Sequence, residues 1–234
     1  MPGSPQRARQ LTEPTVARLP IYQRIANELA RRGREHVDSE TIGRLAAVAP
    51  ATVRRDLAAL GSIGHRGFGY EVSVLASTIE QALGQDRVYD VIVVGLGNLG
   101  RALVNSENFL HLGARLVGLY DASDEVIGTE IAGLVVRDIA EEIPPATIAV
   151  LCVPAAAAQQ AADRLIDSDI HAILNFAPQV ISVPLGTAVR YVDVSIELQI
   201  LAYQLTNGTG PLGGGLLHTL GISRPLSQPR GKTA

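Results

Sequence analysis

Long uncharged apolar runs are missing from the sequence, and cysteine and lysine each occur only once. Each scarcity removes a class of function. No stretch of about 18 residues is free of charges or breaks, so no membrane-spanning helix is predicted, and the polar opening Met1-Pro2-Gly3-Ser4 does not read as a secretion signal. A cytoplasmic protein without a membrane role is expected. Cys152 has no partner for an internal disulfide and cannot supply a zinc cluster, so no metal site is predicted. A thiol-based regulator would need an intermolecular bond. Lys232 lies near the C-terminus, which leaves the rest of the chain without a lysine for acid–base chemistry. What is present, 47% hydrophobic and 18% charged residues over 234 positions, fits one large or two small globular domains.

Charge is unevenly spread. Residues 1–70 hold eleven Arg against six acids, a net +5, and the remainder carries −8. A basic module ahead of an acidic one suggests that only the first meets a polyanion, although a solvated Arg-rich face is the plainer alternative. Residues 1–17 lack periodicity and are predicted to be a flexible arm. Apolar spacing then predicts a helix from Leu19 to Arg32, with Pro20 in its first turn. A second helix is predicted from Asp38 or Ser39 to Val48 with Ile42, Leu45 and Ala46 inward, and a third from Ala51 to Leu60. The third turns Val53, Leu57 and Leu60 inward and shows Thr52, Arg54 and Arg55 to solvent, the layout of a helix-turn-helix. Glycines at 61, 64, 67 and 69 surround His65-Arg66. Such a tip can present Arg66 and Gly67 as a wing to a narrow minor groove, or serve only as a flexible hairpin.

After a connecting helix from Val74 to Leu83, the β-branched run Val88–Val94 leads into Gly95-Leu96-Gly97-Asn98-Leu99-Gly100 and a helical segment. Strand, glycine turn and helix form the context a dinucleotide fingerprint requires. A second strand, Arg115–Tyr120, ends on Asp121, 21 residues past Gly100, where a carboxylate can accept from an adenosine ribose hydroxyl. It would also repel a 2′-phosphate, so NAD is favoured over NADP. Further strands are predicted at Leu134–Val136, Ile148–Val153, Ala172–Phe176 and Ala188–Val192, with a helix from Ala155 to Asp167. Alternation of this kind predicts an α/β fold, a Rossmann-type doubly wound parallel sheet with ligands at the strands' C-terminal ends. Cys152 is expected inside a buried strand as an inert thiol. A final helix, Ser195–Leu205, is apolar around most of its circumference, which suggests packing against a second subunit. Domain boundaries are thus placed at 1–17 (arm), 18–84 (winged-helix DNA-binding domain), 85–193 (Rossmann domain), 194–207 (dimerisation helix) and 208–234 (disordered tail).

Several segments together resemble the Rex family of bacterial redox-sensing transcriptional repressors. They are Arg18-Leu-Pro-Ile-Tyr22, Ala51-Thr-Val-Arg-Arg-Asp56, the Gly61–Tyr70 wing, Gly95–Ala102, Val153-Pro154-Ala, Ile173-Leu-Asn175-Phe-Ala-Pro178 and Val192-Asp193. The resemblance runs from about residue 14 to 205. It implies a homodimer that binds double-stranded inverted-repeat operator DNA and leaves it when NADH binds, with the C-terminal helix swapped onto the partner subunit. It also implies that Arg24 faces Asp193 of the other subunit in one state, as a switch pair. Val153, Pro154 and Asn175 then join the fingerprint and Asp121 around NADH or NAD+. Many family members place a Tyr near the nicotinamide where this chain has Ser106, which keeps a hydroxyl and loses the ring.

A NAD-dependent dehydrogenase is the rival from another class. Hydride transfer asks for an acid such as His beside the nicotinamide ring. His111 and His171 fall away from the expected rim, His36 and His65 lie in the basic half, and His218 in the tail. No catalytic residue is therefore assigned. A repressor sensing another nucleotide or an acyl-CoA is the other alternative.

Overall fold

The computed structural model describes residues 11–65, 68–106 and 113–207. They fall into two compact units, one formed by residues up to Gly84 with residues 196–207, the other by Gln85–Ser195.

The first unit opens on α1 (Glu13–Arg31). Its start lies six residues before the predicted one, and residues 13–17 are helix rather than arm. Pro14 takes the first turn, where its missing N–H costs nothing, and Glu13 suits the positive end of the helix dipole. Pro20 therefore sits in the helix interior. An interior proline costs about 3 kcal/mol, and the burial of Leu19, Tyr22 and Ala26 around it, each fully enclosed, offsets that loss. Strand β1 (His36–Val37) leads to α2 (Ser39–Ala46), capped by Asp38, whose carboxylate accepts from Thr41 N at 2.7 Å. Ile42 and Ala46 are buried as expected, but Leu45 is exposed. The helix ends at Ala46, two residues short, because Ala47 turns left-handed at φ 51°.

Gly43 makes the tight turn possible: a Cβ there would lie 2.5 Å from the Val48 carbonyl oxygen. α3 (Pro50–Ala59) follows, burying Val53 and Leu57. Leu60, predicted inward, follows the helix and is half-buried. β2 (Gly64–His65) and β3 (Gly69–Glu71) form a hairpin, and β3 also pairs with β1, giving a three-stranded antiparallel sheet in the order β1-β3-β2. α4 (Val72–Ala82) packs Val72, Leu75 and Ile79 into the same core as α1 and α2.

The second unit is a seven-stranded sheet in the order β10-β9-β8-β4-β5-β7-β6. β4 (Tyr89–Val94), β5 (Ala114–Asp121), β7 (Leu134–Asp138), β8 (Ile148–Leu151), β9 (Ala172–Asn175) and β10 (Ala188–Tyr191) run parallel. The edge strand β6 (Glu130–Ile131) pairs antiparallel with β7 and carries no alternation long enough to be read from sequence. Residues Val91–Val94 are buried on both faces, as the unbroken β-branched run requires. One face is covered by Ala158, Ala162 and Leu165 of α6 (Ala155–Asp167), the other by Val104 of α5 (Asn98–Val104) with Leu96. The doubly wound pattern is incomplete, since a turn and β6, not a helix, connect β5 to β7. The strand order reverses between β4 and β8, which opens a crevice at their C-terminal ends. α7 (Val194–Asn207) closes the described chain and buries none of its residues, with Ile196, Leu198, Leu201 and Leu205 all at least half exposed.

Candidate functional site

The crevice of the second unit has a volume of about 720 Å³, within the range of small-molecule sites, and is lined by Gly95, Gly97, Leu99, Asp121, Val153 and Pro154 among others. Its floor is the glycine turn. Gly95 adopts φ +93°, and a Cβ on it would lie 2.6 Å from the Cys152 carbonyl oxygen, so the turn presses on the end of β8. A Cβ on Gly100 would collide with the Gly95 carbonyl, which keeps α5 close to β4. A Cβ on Gly97 would meet nothing within 4 Å, so this backbone faces open cleft and a pyrophosphate can approach it. Leu96 is fully buried and contributes its N–H, and Asn98 is exposed at the first turn of α5. Arg101 ties the same turn down, donating from Nε to the Leu96 carbonyl at 2.8 Å.

Asp121 ends β5 as the spacing predicts, and Leu96 N donates to its Oδ2 at 2.6 Å. Ala122 N and Ser123 N donate to Oδ1 at 2.8 and 2.9 Å. A carboxylate oxygen has room for two donors, so Oδ2 keeps one acceptor position for a ribose hydroxyl.

Other candidates lie outside the lining or differ from their expected setting. Asn175 is fully buried and absent from the lining: it donates to the Gln179 carbonyl and accepts from Ala177 N, so it shapes the loop from beneath while Phe176 lines the cleft. Cys152 follows β8 instead of lying within it, and it lines the cleft half-buried. Burial pushes its thiol up to about 11. Ser106 also stays outside the lining, half-buried just beyond α5, its N–H bonded to the Leu103 carbonyl. Sequence reasoning missed two charged lining residues. Asp138 ends β7 opposite Asp121. Arg164 of α6 reaches across the cleft and donates to the Ala140 carbonyl at 2.7 Å and the Glu141 carbonyl at 3.0 Å, pinning the loop after β7. An arginine at a helix C-terminus gives no hint of a partner more than twenty residues away.

In the first unit, α3 places Arg54 and Arg55 on its exposed face and Thr52 half-buried. Arg54 is already engaged, donating from Nη1 to Ser39 Oγ at 2.9 Å and Glu40 Oε1 at 3.0 Å, so α2 holds it in place. Arg66 and Gly67 lie outside the described residues; β3 is held against β1 by Gly69, at φ +78°, where a Cβ would strike the Val37 carbonyl. Arg24 is exposed on α1. Asp193 caps α7, accepting from Ser195 N and Ser195 Oγ at 2.8 and 2.6 Å.

The residue sequence reasoning overlooked here is Asp56. It is 2% exposed and takes a two-point pair from Arg18, with Nε at 2.6 Å and Nη2 at 2.7 Å, together with Thr15 Oγ1 and Tyr22 OH at 2.9 Å each. Burial alone would raise its pKa, but the bonds from Arg18, Thr15 and Tyr22 outweigh it and hold the carboxyl below its ordinary value. Burial first, then the Asp56 charge, pushes the Tyr22 hydroxyl up. The signal was available: an acid between the inward residues Val53 and Leu57 faces the core and needs partners.

Residues 86–179 match the family model of a CoA binding domain, and residues 10–58 that of a putative DNA-binding protein N-terminus. The chain is 45% identical over 202 residues to the redox-sensing transcriptional repressor Rex of Streptomyces coelicolor, covering 84% of this chain and 78% of that one. Among solved structures, RSP in complex with β-NAD+ and operator DNA matches with a TM-score of 0.78 at 31% identity, covering 85% of this chain and 94% of that one. RSP, described as a Rex-family repressor, in complex with β-NADH matches at 0.75 and 30% identity, covering 85% and 95%.

Proposed function

The chain belongs to the Rex family of redox-sensing transcriptional repressors, and from that premise we propose how its residues divide the task. The protein is a DNA-binding repressor that responds to NADH. The cleft of the second unit holds the dinucleotide. The Gly97 backbone faces the pyrophosphate, Asp121 accepts from the adenosine ribose, and Val153 and Pro154 flank the path towards the nicotinamide. α3 and the hairpin of the first unit meet operator DNA, Arg55 and Arg54 in the major groove and Arg66 in the minor. The observation that carries this reading is the bond from Leu96 N to Asp121, which builds the glycine turn and the ribose acceptor into one rigid unit.

NAD+ bears a positive charge on the ring that NADH lacks. Enclosing an unpaired charge in an apolar interface costs several kcal/mol, so a subunit interface that closes over the ring favours the reduced form. α7, with its exposed apolar positions, supplies that interface in a homodimer. Closure turns the two winged helices out of register with operator half-sites about 34 to 36 Å apart, and Arg24 and Asp193 of opposite subunits form or break their pair as it does so.

The protein is a sensor and not an enzyme on this reading. The Cys152 thiol is held protonated, and His171 sits beside the start of β9, bonded to Asp169, at the opposite end of the strand from the cleft. No described helix is long and apolar enough to cross a membrane, and action on cytoplasmic DNA is the location proposed.

The test is fluorescence anisotropy of a labelled inverted-repeat duplex with NADH, NAD+ and NADPH titrated in parallel at fixed salt. Release by NADH, where the other two do little, supports the reading. Binding indifferent to all three overturns it.

A further inference from the structure

The discrimination against a 2′-phosphate that the sequence assigns to Asp121 has a second contributor. Asp121 is approached by the backbone N–H groups of Leu96, Ala122 and Ser123, whose dipoles offset part of its charge. Directly across from it in register on β7 stands Asp138, and both carboxylates line the same cleft. Neighbouring strands are about 4.8 Å apart, so the two charges share one end of the site. Asp138 Oδ1 accepts from Ala140 N at 2.8 Å. The cationic side chain in the described lining, Arg164, is committed to the carbonyls of Ala140 and Glu141, the loop that follows Asp138. This end of the cleft therefore meets a ligand with two carboxylates, while the guanidinium keeps its charge but turns its Nε and Nη2 donors to the protein's own backbone carbonyls.

We propose that Asp138 is a specificity-determining residue of the nucleotide cleft, and that it excludes dinucleotides carrying a phosphate on the adenosine ribose. The inference rests on the nucleotide reading above and adds a division of labour to it. Asp121 makes the hydrogen bond to the ribose, and Asp138, with one backbone N–H on it against three on Asp121, adds a second negative charge beside it. A neutral ribose hydroxyl is nearly indifferent to a second charge beside it. A phosphate dianion is not, and in a partly enclosed cleft the repulsion is screened less than in open water.

The experiment titrates full-length wild type, Asp138→Asn and Asp138→Ser with NADH and NADPH, following nicotinamide fluorescence at low and high ionic strength. Asn keeps the acceptor for Ala140 N and removes only the charge, and Ser is the independent second variant. Asp138→Asn is expected to tighten NADPH by about tenfold, with NADH changed less than about threefold, a ratio that a purely structural role would not move. Wild-type discrimination should shrink as salt rises, and that of the variants should shrink less. An unchanged NADPH-to-NADH ratio in both variants overturns the proposal, as does equal weakening of both nucleotides, which would make Asp138 an adenine or loop contact. Wild type that binds neither nucleotide overturns the nucleotide reading itself, and the inference with it.

Discussion

Two glycines three residues apart in one turn meet opposite fates when given a side chain. Gly97→Val places its branches in open cleft, so melting should stay within about 2 °C of wild type while NADH affinity falls at least about tenfold. Gly100→Ala drives a methyl into the Gly95 carbonyl and should cost about 1 to 3 kcal/mol of stability, read by thermal melting, because helix and strand must separate. If both variants melted alike, the assignment of Gly97 to ligand approach would be wrong. Asp56 makes a prediction about pH. Its folded pKa is lowered, so its stabilisation is complete above the unfolded carboxylate value of about 3.9 and is lost as pH falls through the folded value. Hydrogen exchange of α1 and α3 amides should therefore accelerate below about pH 4 in wild type, and Asp56→Asn should flatten that acid limb. Asp56→Ala, which strands Arg18, should destabilise the unit by about 3 kcal/mol or more.

At the scale of elements, the parts legible in the sequence were those fixed by local periodicity. The helix Ala155–Asp167 appears with the predicted ends, and strand, glycine turn and helix at 89–104 follow the fingerprint, because a β-branched run and a glycine spacing are local signals. What misled was a signal with two meanings. Pro20 suggests a helix start from its sequence position, and Pro14 is the one that plays that part. Asn175 belongs to a recognisable segment, yet its side chain is consumed by its own loop, a distinction only contacts reveal. Asp56, Asp138 and Arg164 act through partners far along the chain or on a neighbouring strand, and periodicity is silent about such pairs. α7 was legible as over-apolar, and its exposed Leu198 and Leu201 give a test. Leu198→Glu with Leu201→Glu should turn a dimer into a monomer at micromolar concentration in sedimentation equilibrium and weaken operator binding. A variant that sediments like wild type would refute α7 as the interface.

For the whole molecule, the +5 of residues 1–70 against the −8 of the remaining 164 favours DNA contact through the first segment. Operator affinity should fall steeply with salt, and Arg55→Ala should reduce the log–log slope by about 0.9 if Arg55 contacts a phosphate. Binding linkage is reciprocal, so saturating operator should weaken NADH by the same factor by which NADH weakens operator, measurable by calorimetry in both directions. Cys152 adds a property of a different kind. With its thiol raised to about 11 by burial beside the glycine turn, very little of it is the reactive thiolate at neutral pH. Peroxides attack that form. A repressor whose single cysteine is kept in the thiol form is suited to keep two messages apart, answering the nicotinamide ratio through its cleft while offering an oxidant little thiolate to attack.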